Sequence, residues 1–77
     1  MRQIRFRFPA PVTLPVSAVI NAAELSLSLG RPSRQLLYLW RTQRDFPQSF
    51  PDGKARFSLT DEVEKWLIGQ GIAVQRM

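Results

Sequence analysis

The chain of 77 residues contains no cysteine and no histidine, and only six acidic residues stand against eleven lysines and arginines. Without cysteine there is no disulfide framework, no thiolate nucleophile and no zinc knuckle; without histidine the usual imidazole ligands and general bases are missing. Neither a metal site nor a cofactor site is expected, and any catalysis would have to rest on six carboxylates. The longest apolar run, Leu36 to Trp40, spans five residues, far short of the roughly 20 that a membrane span needs. The first residues, Met1-Arg2-Gln3-Ile4-Arg5, hold no continuous apolar stretch and no small-residue cleavage site, so no secretory signal is expected and a cytoplasmic location is. A chain of this length buries roughly 60–65% of the surface that its unfolded form exposes, which allows one modest core and no deep walled site. A binding module, and no enzyme, is the expectation.

What is present is arginine, unevenly placed. From Met1 to Arg44 seven arginines face Glu24 alone, a local balance of +6; from Asp45 onward four cations face five acids, a balance of −1. Arginine supplies nine of the eleven cations, and its planar fork of donors suits phosphate oxygens and guanine edges better than a lysine point charge does. Nucleic acid is the partner class that this implies.

Ile4, Phe6 and Phe8 alternate with Arg5 and Arg7 in the period of a half-buried strand, and Pro9, Pro11 and Pro15 then interrupt regular structure. Residues 1–16 therefore read as a basic arm or strand plus linker, and 17–77 as the DNA-binding domain. Ser17 is the expected N-cap of a first helix, carried by Val19, Ile20, Ala23 and Leu27 and stopped at Gly30. Ser33 is the expected N-cap of a second, from Arg34 to Arg44, with Leu36, Leu39 and Trp40 on its apolar side. Its polar side holds Arg34, Gln35, Tyr38, Arg41 and Thr42 and no acid, which gives up the usual i,i+4 pairs and suits an anionic partner. Asp52-Gly53 predicts a tight hairpin, with Lys54 and Arg56 at and just past its tip. Thr60 is the expected N-cap of a last helix with Val63, Trp66 and Leu67 as its buried stripe; Asp61, Glu62 and Glu64 complement that helix's positive end rather than holding a metal. Ile72 to Val74 reads as a short strand, to be paired with Ile4 to Phe8. Trp40, Phe46, Phe57 and Trp66 are the expected core aromatics.

The order helix, turn, helix, hairpin, helix predicts a mainly α fold with a small β-hairpin, a winged helix-turn-helix whose second helix meets base edges in the major groove. Ser33-Arg34-Gln35-Leu36-Leu37-Tyr38 with Trp40, then Asp45-Phe46-Pro47, the Gly53-to-Phe57 hairpin and Asp61-Glu62-Val63-Glu64-Lys65-Trp66-Leu67, resembles the AlpA-like and excisionase-like group of small MerR-type winged-helix proteins. The likeness covers about Val19 to Leu67; the arginine-rich arm lies outside it. It implies a double-stranded DNA-binding accessory factor of phages, prophages or integrative elements, acting in transcription regulation or as a recombination directionality factor beside a tyrosine recombinase. Self-association on DNA is also expected, because a domain of this size meets only one half-site. The candidate contacts are Arg31, Ser33, Arg34, Gln35, Tyr38, Arg41 and Thr42, with Lys54 and Arg56 on the hairpin. A module whose basic helix binds an acidic protein surface, and an RNA binder, are the alternatives that the same charge pattern leaves open.

Overall fold

A computed structural model of the chain describes residues 6–77, the side chain of Asp52 excepted. The described residues form three helices and five strands: β1 (Val12–Leu14), β2 (Val19–Asn21), α1 (Ala22–Ser28), α2 (Arg34–Gln43), β3 (Phe50–Asp52), β4 (Ala55–Leu59), α3 (Thr60–Gly69) and β5 (Val74–Arg76). They make two sheets, a parallel pair β1–β5 and a three-stranded antiparallel sheet in the order β2-β4-β3. This corrects the expected mainly α, winged helix-turn-helix architecture: the fold is a small α/β arrangement, and no winged helix is identified in it. The expected hairpin is present, but as the edge strand β3 and the central strand β4 of a sheet whose third strand is β2.

The departure begins at Val19 and Ile20. These β-branched residues, read as the start of a helix, are extended and pair with Leu59 and Ser58 of β4. The N-cap of α1 is Asn21, not Ser17: the Asn21 amide oxygen accepts from the Glu24 backbone N–H at 2.8 Å, and its NH2 donates to the Glu24 carboxylate at 2.7 Å. An asparagine with a partner three residues on makes the stronger start signal. Ser17 instead donates to the Val19 carbonyl. At its other end α1 closes with Gly30 at φ 88 and two reversed hydrogen bonds, Arg31 N–H to Ser26 C=O and Gly30 N–H to Leu27 C=O, the paired pattern that commonly ends helices.

The start of α3 also differs from expectation. Its N-cap is Leu59, and Thr60 is fully buried. The alternation of β4 explains this: Ser58 and Thr60 both point inward, and the Thr60 N–H donates to the Ala18 carbonyl as a last rung of the sheet. The side chain that would have capped the helix is thereby turned into the core.

At the C-terminal end β5 pairs with β1 in the register Val12↔Val74 to Leu14↔Arg76. The expected pairing of this segment was with Ile4 to Phe8. Residues 6–8 form no strand, and Ile4, with Arg2 and Arg5, lies outside the described residues. Val12 and Leu14, in the stretch read as linker, are fully buried and belong to the core with Ile20, Leu25, Leu29, Trp40, Phe46, Val63, Trp66 and Leu67. Phe8 carries the arm over that core. Its ring lies 5.3 Å from Trp40 and 6.4 Å from Trp66, and Phe6 sits edge-on to both Phe8 and Trp40. Trp40, Phe46 and Trp66 are buried as expected, whereas Phe57 is half-buried and stacks on Phe50 across the hairpin.

Candidate nucleic-acid interface

Helix α2 ends at Gln43, one residue short of the expected Arg44, and starts at the expected cap, the Ser33 hydroxyl accepting from the Leu36 N–H at 3.1 Å. Its inward arc is Trp40, buried, with Leu36 and Leu37 half-buried, and Leu39 is 43% exposed. At about 100° per residue the centre of that arc falls between Leu36 and Leu37, which puts Leu39 about 110° away. Leu39 therefore joins the outer face rather than the apolar side assigned to it. Arg34, Gln35, Tyr38 and Leu39 line a shallow cavity of about 450 Å3, with Tyr38 66% exposed. Thr42 lies on the same face, but its hydroxyl already donates to the Tyr38 carbonyl at 3.0 Å. Arg31 is exposed in the turn that precedes α2, at φ 59, and Ser33 is occupied as the cap.

The hairpin turns at Gly53-Lys54, with Gly53 at φ 64 and Lys54 exposed at the tip. Arg56 is opposite Pro51 in the ladder. Its Nε donates to the Ser49 hydroxyl at 2.9 Å and its Nη2 to the Ser49 carbonyl at 3.0 Å, which holds the guanidinium against the segment that precedes β3. Arg41 lies in the last turn of α2, its guanidinium carbon 5.7 Å from the centre of the Phe46 ring. Burial, and after it the Arg56 charge, lower the pKa of Arg41 below the usual arginine value; an arginine remains cationic at neutral pH all the same. Arg41 and Arg56 are each held by the segment that follows α2, Arg41 over Phe46 and Arg56 on Ser49.

The acids are placed elsewhere. Both ion pairs among the described residues belong to Arg76, which meets Asp61 at 2.9 Å and Glu64 at 2.8 Å; these two hydrogen bonds raise the Arg76 pKa above its ordinary value. Arg31, Arg34, Arg41, Arg44, Lys54 and Arg56 have no carboxylate partner among the described residues. Arg44 is half-buried at the end of α2, where its carbonyl accepts from Trp66 Nε1 at 2.8 Å. Sequence reasoning missed Leu39 on the outer face and Ser49 as the anchor of Arg56. The first was recoverable from a shift in helix phase; the second depends on a contact between a loop and a strand that no spacing marks.

Among the described residues no group of histidines, cysteines or carboxylates is arranged to hold a metal ion, and no helix is long and apolar enough to cross a membrane. No protein-family model matches this chain, and neither a curated protein nor a solved structure is found to be similar to it.

Proposed function

We propose that the chain binds double-stranded DNA through the outer face of α2 and the adjoining hairpin, without catalytic activity. The observation that carries this reading is the unneutralised arginine face: six cations from Arg31 to Arg56 have no carboxylate partner among the described residues, while Asp61 and Glu64 serve Arg76. A surface kept for solvent gains a few tenths of a kcal/mol from each opposite-charge pair, and this one forgoes them. Arg34 and Gln35, exposed side by side on the first turn of α2, are the residue types that reach guanine and adenine edges bidentately. Lys54 and Arg56 are suited to phosphates, which set position rather than sequence.

The resemblance of the sequence to excisionase-like proteins suggests the process: accessory action in recombination or transcription regulation for a mobile element. Cooperative binding to direct repeats with strong bending would assign the first; an inverted repeat with little bend would assign the second. One observation favours a different partner. Tyr38 and Leu39 place exposed apolar surface among the cations of α2, as an acidic peptide with an apolar anchor would require.

Fluorescence anisotropy on duplex DNA over a salt series separates these. Arg34→Ala is expected to cost about 1–3 kcal/mol on a selected site and to relax preference at one base pair; Lys54→Ala should weaken all sequences alike and lower the salt slope by about one. No binding to any duplex at low salt discards the DNA reading. Equal effects of the two substitutions on every sequence discard α2 as the sequence reader.

A further inference from the structure

The outer face of α2 is not polar throughout. Arg34 and Gln35 on its first turn and Tyr38 and Leu39 on the next line one shallow cavity of about 450 Å3. Tyr38 is 66% and Leu39 43% exposed, and the packing of the helix on the core rests on Leu36, Leu37 and Trp40 instead. None of the four lining residues is acidic, and one is a cation. The occupant that suits this cavity is an anion carrying a small apolar group beside hydrogen-bonding atoms.

We propose that Leu39 reads the 5-methyl group of thymine while Gln35 reads the adenine of the same A·T pair or of its neighbour. Resting on the DNA-binding reading above, this assignment adds to it the base pair that is read.

In the major groove an A·T pair presents adenine N7 as acceptor and N6 as donor, then thymine O4 and the thymine methyl group, an apolar mark that a G·C pair lacks. The Gln35 amide carries an acceptor and donors side by side, the complement of the adenine edge. Positions 35 and 39 are one helical turn apart, about 5–6 Å between Cβ atoms, against about 3.4 Å for each base-pair step. From one placement of the helix the two side chains therefore reach the same pair or adjacent ones. Arg34, about 140° round the helix from Leu39, is left to meet the anionic strand or a neighbouring base. An acidic peptide with an apolar anchor would also meet Arg34 and Leu39, but its carboxylates only accept hydrogen bonds and match half of the Gln35 amide. The amide beside the leucine favours the base pair.

The test uses the whole chain and a duplex site obtained by in vitro selection, with the folding of each variant checked by circular dichroism. Each thymine of the site is replaced singly by deoxyuridine, which removes the methyl group and keeps every hydrogen-bonding atom. The native chain is expected to lose about fourfold in affinity at one of these positions, the effect of one methyl group withdrawn from water. Leu39→Ala, a mild change at an exposed helical position, is expected to bind both duplexes alike, and as weakly as the native chain binds the uridine one. Replacing the adenine of that pair or its neighbour by 7-deazaadenine, which lacks the N7 acceptor, should weaken the native chain and leave Gln35→Ala unchanged. If the site holds no thymine, or no thymine in it responds while the duplex stays bound, the methyl reading falls and DNA binding stands. A loss at uridine of the same size in Leu39→Ala means that another residue meets the methyl group and overturns the assignment equally. A response to uridine with none to 7-deazaadenine removes Gln35 from the pair and overturns the joint reading. A chain that binds no duplex at low salt discards the DNA reading and this one with it. In that case a labelled peptide of glutamates around a single leucine, bound by the native chain and not by Leu39→Ala, gives the cavity to an acidic protein instead.

Discussion

Thr60 shows how a single side chain can serve one element at the expense of another. Its backbone completes the ladder with Ala18, so its side chain enters the core, where Oγ1 is buried and has no hydrogen-bond partner. A buried hydroxyl left unpaired costs about 1–3 kcal/mol relative to one that is satisfied or replaced by a methyl of the same shape. Thr60→Val keeps the branch and the volume and removes the orphan. The expected outcome is an unchanged or higher stability, by up to about 1 kcal/mol, measured as the midpoint of thermal unfolding. A clear loss of stability would mean that the hydroxyl is engaged after all. Trp66 shows the opposite arrangement: its ring is buried against Phe46 and Trp40, and its one donor reaches the Arg44 carbonyl at the end of α2. One residue thereby ties the end of the candidate DNA-contacting helix to α3, as expected for an amphipathic aromatic with a polar tip.

Between α1 and α2 the geometry depends on Gly30. Its φ of 88 lies where side chains are strained, and a Cβ there would meet Pro9 Cδ at 3.2 Å. Gly30→Ala is therefore expected to destabilise the fold by about 1–2 kcal/mol, through backbone strain and displacement of the arm together. Urea unfolding gives the cost, and a red shift of tryptophan emission in the folded state would report the arm leaving Trp40. Gly30 as a stop, Ser33 as a cap, the span of α2 and the hairpin turn were all legible in the sequence, because each depends on residues within four positions of one another. Of the other three strands β1 and β2 were not, and the last was expected at Ile72 to Val74 but lies at Val74–Arg76 with a different partner. Val19 and Ile20 satisfy helical spacing as well as strand preference, and only their pairing with β4 decides between the two. β1 and β5 are three residues each and are separated by most of the chain, so no local pattern announces their register. For the candidate site, the polar face of α2 was legible from periodicity. The contacts of Arg56 with Ser49 and of Arg41 with Phe46 were not, because each depends on how the segment between α2 and β3 is laid down, which no spacing marks.

At the scale of the whole molecule the chain is closed by its last strand, and Arg76 makes the closure. From β5 its Nε donates to the Pro15 carbonyl at 2.7 Å, its Nη1 reaches Asp61 and Glu64 on α3, and its Nη2 approaches the carbonyls of Val16 and Ser17 at 3.4 Å. One planar fork thus joins the loop after β1, the first turns of α3 and β5, three segments that are distant in sequence. An exposed ion pair by itself adds little stability, but a fork that also satisfies backbone carbonyls cannot be replaced by a single ammonium. Arg76→Ala is expected to lower the thermal midpoint by several degrees, and Arg76→Lys to recover only part of that loss. The sheet β1–β5 brings Val12 and Leu14 into the same core as Trp40 and Trp66, so the loss should spread through the whole fold. Tryptophan fluorescence and far-ultraviolet circular dichroism should therefore give coincident transitions in both variants, shifted together. If the circular dichroism midpoint fell while the tryptophan midpoint stayed, β5 would be unfolding as a separate unit and Arg76 would be securing an end rather than closing the molecule. The duplex affinity of Arg76→Ala, measured well below its midpoint, should equal that of the native chain, since Arg76 is already committed to two carboxylates and is no part of the unneutralised arginine face.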